Sequence, residues 1–223
     1  MIMNYTETQN EVILKTLDFV KETLYGEGSG HDYWHVYRVW NNAKSLAQSE
    51  LCNNYIVELG ALLHDIADHK FHGGDLTVGP RVAREFLEKL GVEEEVISGV
   101  CEIIATISFK GAKVASEMST IEGMIVQDAD RLDAIGAIGI ARTFAYGGHK
   151  GHEMYNPDIN PELHETFEAY KNSKGTTVNH FYEKLLLLKD LMNTETAKKV
   201  AKKRHEYMEE FLSQFYHEWD GTM

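Results

Sequence analysis

Apolar residues recur along nearly the whole chain at steps of three and four, the period of a helix packed on one face. Over Glu11–Leu24 they are Val12, Leu14, Leu17, Val20 and Leu24. A glycine-rich break at Gly26–Gly30 separates this helix from a second, over about Asp32–Ser49. The same spacing predicts helices over about Tyr55–Asp68, Val78–Leu90, Glu94–Ile107, Thr120–Ile135 and Ala137–Tyr146. In the C-terminal third it predicts Pro161–Lys171, Thr177–Met192 and Thr194–Glu218, the last with Val200, Tyr207, Phe211 and Phe215 inward. The longer loops fall at Lys70–Thr77, Ser108–Ser119 and Gly147–Asn160. No internal repeat, low-complexity tract or linker divides the chain. The expectation is an all-α fold, one domain over 1–223 with a C-terminal helical extension (about 161–218) packed on the same core.

Composition sharpens this picture in three places. Only three prolines occur, where ordinary usage gives about eleven, which favours uninterrupted helices over strands and turns. The net charge of −13 argues against a nucleic-acid binder held by phosphate contacts. A small anion remains a possible ligand if a metal or a few lysines supply local positive charge. Cys52 and Cys101 stand alone in apolar helical surroundings, so reduced thiols are expected rather than a disulfide framework. No apolar run approaches the roughly 18 residues of a membrane span, and the start lacks a signal-peptide pattern. The expectation is a cytoplasmic protein with no membrane or nucleic-acid partner.

Histidine and aspartate carry the chemistry. Five of the 11 histidines fall between positions 31 and 72: His31, His35, His64, His69 and His72. In LGALLHDIADHK, His64 and Asp65 interrupt an apolar stripe that should face a core. Burying a carboxylate there is costly unless it is paired or binds a cation. His35 stands in the same way between Trp34 and Val36, and IVQDADRLDAIG places Asp128, Asp130 and Asp133 in another apolar helix. Three helices thus bring ligand-type residues toward an interior. Two imidazoles with two carboxylates suit Mn, Fe(II), Mg, Ni or Zn and leave open positions on an octahedral ion. A closed structural zinc site would normally use cysteine. Competing motifs fail: GEGSGHD fits neither a dinucleotide fingerprint nor a P-loop, HETFE lacks a second histidine, and no GxSxG occurs.

The ordered set His35, His64-Asp65 and Asp130 resembles the HD-domain metal-dependent phosphohydrolase superfamily. The segments SGHDYWHVYRVWNNA, ALLHDIADHKF and QDADRLDAIGAIGIAR are similar to its bacterial YpgQ-type branch, as is the C-terminal NHFYEKLLLLKDLMNTETAKKVAKKRHEYMEEFL. The resemblance implies a helical fold with a central metal bound by His35, His64, Asp65 and Asp130. It implies nucleotide hydrolysis, specifically of a nucleoside triphosphate to the monophosphate and pyrophosphate. The Ile103–Ala115 stretch has none of the extra histidines of two-metal relatives, so one divalent ion is expected, with Mn favoured. Many members carry Lys or His three residues after the HD aspartate, whereas this chain has Asp68. Asp68 is either the group that takes a proton from water or a helix-end cap. His31 either meets phosphate or leaving group or helps open the second helix, while Asp32 is a candidate N-cap. Lys70, Lys110, Lys113 and Lys150 are candidate triphosphate contacts. The alternatives are a non-catalytic nucleotide- or metal-sensing module, a 5'-nucleotidase and oxidative chemistry at iron, and the expected partners are a small-molecule nucleotide and a second copy in a homodimer.

Overall fold

The computed structural model describes residues 5–26, 32–67, 75, 77–107, 118–163 and 175–222. Every regular element among them is helical. The described residues up to 130 form one compact unit and those from 131 onward form a second.

The first unit holds α1 (Glu7–Leu24), α2 (Tyr33–Ala47), α3 (Asn54–Leu63), α4 (Val78–Lys89), α5 (Glu94–Thr106) and most of α6 (Ile121–Asp133). Their starts follow local side-chain chemistry. Thr6 opens α1 earlier than the apolar spacing indicates, through a reciprocal capping box with Gln9. Asp32 caps α2 by accepting from the His35 backbone N–H at 2.9 Å. Asn53 caps α3, its Oδ1 accepting from Tyr55 and Ile56. The three- and four-residue stripes converge as expected: Val20, Val36, Leu59, Leu62, Leu63, Ala83, Leu87 and Val100 are buried in one apolar cluster. Glu58 is buried in that setting with both oxygens satisfied, by Tyr5 Oη at 2.7 Å and Trp40 Nε1 at 2.8 Å.

Two features place α6 against α3. The Glu122 carboxylate accepts from the Asn53 N–H at 2.7 Å, tying the starts of the two helices. At Gly60 an added Cβ would stand 3.0 Å from Ile103 and 3.5 Å from Val126, so α3 meets α5 and α6 closely at this position. Asn42 on α2 adds a longer bond to the Ala129 carbonyl, at 3.5 Å.

The second unit contains the end of α6, α7 (Gly136–Lys150), α8 (Asn179–Glu183), a 3₁₀ segment (Leu185–Leu191) and α9 (Glu195–Trp219). Gly136, at φ 76°, makes the sharp break between α6 and α7 under the Arg204 stem. Arg142 pairs with buried Asp133 at 2.8 Å.

Five expectations need correction. The helix predicted to reach Asp68 stops at Leu63, and His64–Ala67 form a turn. The helix over Thr177–Met192 is broken at Lys184 (φ −143°, ψ −58°), where the chain passes into the 3₁₀ segment. On α9, Ala197, Ala201, His205, Met208 and Leu212 are buried and the expected Phe211 and Phe215 pack against Phe144, but Tyr207 is 52% exposed. The helix expected at Ala137–Tyr146 continues to Lys150 before Gly151 ends it in the left-handed conformation. Of the helix expected over Pro161–Lys171, residues 161–163 are not helical and 164 onward lie outside the described residues.

Candidate metal centre

Three helices supply the site, each by a different local device. The Asp32 cap fixes the first turn of α2, and His35 on that turn is fully buried. His64 closes α3, its Nδ1 lying 2.8 Å from the Ala61 carbonyl oxygen. A carbonyl only accepts, so Nδ1 carries the proton and the neutral ring leaves Nε2 as a bare donor atom. Asp65 follows in the turn. Asp130 comes from the last part of α6, beside buried Ala129 and Leu132.

These side chains meet at one point. His35 Nε2 and His64 Nε2 are 3.3 Å apart, with ring planes inclined by 68°. Asp65 Oδ2 lies 3.4 Å from each of these nitrogens. Asp130 Oδ1 lies 3.4 Å from His35 Nε2 and 4.0 Å from His64 Nε2. The imidazoles are buried to about 1% exposure, whereas the Asp130 side chain keeps 37%, so the cluster opens to solvent on that side. The ligand atoms of His35, His64 and Asp130 all fall within 4.8 Å of one another. Two imidazole nitrogens facing each other beside two carboxylates are the donor set of a divalent cation, so the residues present fit such an ion.

The electrostatics agree with this. Burial alone would lower the His64 pKa, but Asp65 and then Asp130 outweigh it and hold it above the usual histidine value. The protein around Asp130 disfavours its charge, yet the His35 hydrogen bond and the charges of His35 and His64 hold its pKa below the carboxylate range. Without an ion, protons would supply the positive charge that two carboxylates call for here.

Of the residues singled out in the sequence, the structure brings His35, His64, Asp65 and Asp130 together. His31, Asp68, Lys70, Lys110 and Lys113 lie outside the described residues. Lys150 is exposed at the end of α7, with its ammonium 5.6 Å from the centre of the Tyr146 ring. Asp32 is the cap of α2, and Asp133 is taken by Arg142. The sequence reading missed Glu122 and Asn42, which act across 69 and 87 residues. Such long-range hydrogen bonds leave no local spacing to read.

The family model described as "HD domain" matches residues 33–135, which contain all four converging residues. YpgQ of Bacillus subtilis (strain 168) is 42% identical over 199 residues, 88% of each chain. A crystal structure of an HD-superfamily hydrolase from Bacillus thuringiensis superposes with a TM-score of 0.75 at 48% identity, covering 95% of this chain and 98% of that one. The crystal structure of B. subtilis YpgQ in complex with ADP superposes with a TM-score of 0.70, at 33% identity over the superposition, covering 92% and 97%. The chain belongs to the HD-domain metal-dependent phosphohydrolase superfamily, in the branch that includes YpgQ.

Proposed function

We propose that this enzyme hydrolyses nucleotides with one divalent ion, Mn favoured, and converts a nucleoside triphosphate to the monophosphate and pyrophosphate. The observation that carries this reading is the meeting of the His35 and His64 Nε2 atoms at 3.3 Å, with Asp65 Oδ2 and Asp130 Oδ1 each 3.4–4.0 Å from these nitrogens. These four residues are the proposed ligands. The Ala61 carbonyl holds the His64 ring so that Nε2 faces His35 Nε2, where it would serve as a ligand, as outer hydrogen bonds commonly do for metal-binding histidines. A divalent ion bound there lowers the pKa of water and neutralises charge on phosphoryl oxygens. The partly exposed Asp130 side lets substrate and water approach. Support for a nucleotide comes from the ADP complex of YpgQ. Asp68 is the proposed proton acceptor for the attacking water and His31 a contact to phosphate or leaving group. Lys70, Lys110, Lys113 and Lys150 are the proposed triphosphate contacts.

Product analysis tests the reaction. Nucleoside triphosphates incubated with the enzyme and Mn should give monophosphate and pyrophosphate in equal amounts, read by phosphorus NMR. Orthophosphate released from a monophosphate would make the protein a nucleotidase. Nucleotide binding without turnover would make it a sensing module.

The raised His64 pKa gives a further expected result. In the metal-free protein its paired positive charge stabilises the fold fully below the unfolded value of 6.5, and that contribution disappears as pH rises through the higher folded value. The ion needs the neutral ring, so binding expels the proton and is favoured by rising pH. The increase in Tm on adding Mn should therefore grow from about pH 6 to about pH 8. Thermal scans at both values, with and without Mn, measure it. An increase that shrinks with pH would remove His64 from the ligand set.

A further inference from the structure

The second unit contains a cavity of about 190 Å³ whose walls include Tyr155, Pro157, Pro161, Asn179, Tyr182 and Tyr216. Its described walls carry no Lys, Arg, His, Asp or Glu. None of these described wall residues compensates a phosphate or carboxylate, which favours an uncharged ligand. Drug-sized sites run to roughly 300–1,000 Å³, which puts this one at the size of a single ring.

Asn179 defines what that ring must offer. It is 2% exposed, and its Nδ2 donates to the Ile159 carbonyl at 3.0 Å, which fixes the orientation of the amide. Its Oδ1 meets no donor among the described residues. It is not sealed off, because His205 Nδ1 is the one closed and unpartnered side-chain polar atom among those residues. Asn179 lines the cavity, so its Oδ1 is the acceptor that a ligand there can meet. Tyr182 lies three residues on, one turn further along α8 and on the same wall. The Tyr216 hydroxyl donates to the Tyr182 hydroxyl at 3.2 Å, which leaves the Tyr182 proton for a ligand. Tyr155 is braced edge-on by Tyr216 at 5.3 Å and Trp219 at 4.9 Å between ring centres, giving a fixed aromatic wall.

We infer that this cavity binds a pyrimidine base with a ring N–H beside a carbonyl, the edge of uracil or thymine, presented as a neutral nucleoside. The ring N–H donates to Asn179 Oδ1, the adjacent carbonyl accepts from Tyr182, and the base lies against tyrosine rings. This does not depend on the reaction proposed for the metal centre.

The full chain titrated with uridine, followed by ligand-observed NMR and calorimetry, provides the test. Uridine should bind saturably. N3-methyluridine, which lacks the donor, should bind about tenfold more weakly or not at all. Tyr182→Phe alters a ring that is 36% exposed, so folding should persist while uridine affinity falls about three- to tenfold. Excess ADP should leave the uridine bound. The inference is overturned by absence of saturation, by equal binding of N3-methyluridine, by an unaltered Tyr182→Phe or by displacement with ADP. Preference for methyl glucoside over uridine would also overturn it and make the cavity a sugar site.

Discussion

Asp65→Ala is expected to empty the metal site and reduce hydrolysis to background. Asp65 Oδ2 is 3.4 Å from the Nε2 atoms of both His35 and His64, so one oxygen bridges the two imidazoles. Its side chain is 16% exposed, leaving little water to replace it as a ligand. Changes to partners merely outside a ligand shell cost about 10–100-fold in metal affinity, and loss of a ligand should cost more. The wild type should hold about one ion per chain by elemental analysis. The variant should hold almost none, and chelation of the wild type should reproduce its inactivity. The variant also leaves the imidazoles 3.3 Å apart with one fewer counter-charge, so the metal-free fold should lose stability most at low pH, where His64 is protonated. An Asp65→Ala protein that keeps its ion would remove Asp65 from the proposed ligands. Two ions per wild-type chain would overturn the single-metal reading.

His35 and His64-Asp65 were legible from where they sit in the apolar pattern, whereas Asp130 was set apart from the more deeply buried Asp128 and Asp133 by the family resemblance. His35 and His64 occupy positions that the helical stripe assigns to the core, and both are buried. A polar residue in such a position has a reason that local spacing can expose. The end of α3 is a different case. Ile66 continues the apolar spacing and neither Gly nor Pro marks a stop, so the sequence reads as helix to Asp68. What intervenes is the His64 ring on the Ala61 carbonyl, the acceptor that the next turn of helix would use, and Ile66 N–H instead reaches Leu63 at 3.1 Å. On α9 the expected Phe211 and Phe215 do pack inward, but Ala197 and Ala201 carry little hydropathy and are buried, whereas Tyr207 looks like core and is exposed. The break at Lys184 precedes four consecutive leucines, whose run has no helical period to follow. The Asn53–Glu122 bond that positions α6 joins residues with no shared local pattern.

Asp68→Asn separates holding the ion from handling the proton. The helix that was expected to put Asp68 on one face with His64 ends at Leu63, so that premise no longer supports the role. Chain connectivity still does. Asp68 is three residues from Asp65, and even a fully extended chain keeps their Cα atoms within about 11 Å, a gap that two side chains and one water can span. Asparagine preserves the shape and removes the base. If Asp68 takes the proton of the attacking water, metal content should stay near one ion per chain while kcat falls about 10²–10⁴-fold. The acidic limb of the pH–rate profile should lose the contribution of this carboxylate, a change that mere loss of a cap would not produce. Near-normal kcat would leave Asp68 as a cap and move the proton-handling role to His31 or His69. Loss of the ion would place Asp68 in the coordination or folding network. Asp65→Ala loses ion and rate together, so only a variant that keeps the ion and loses the rate can identify the base.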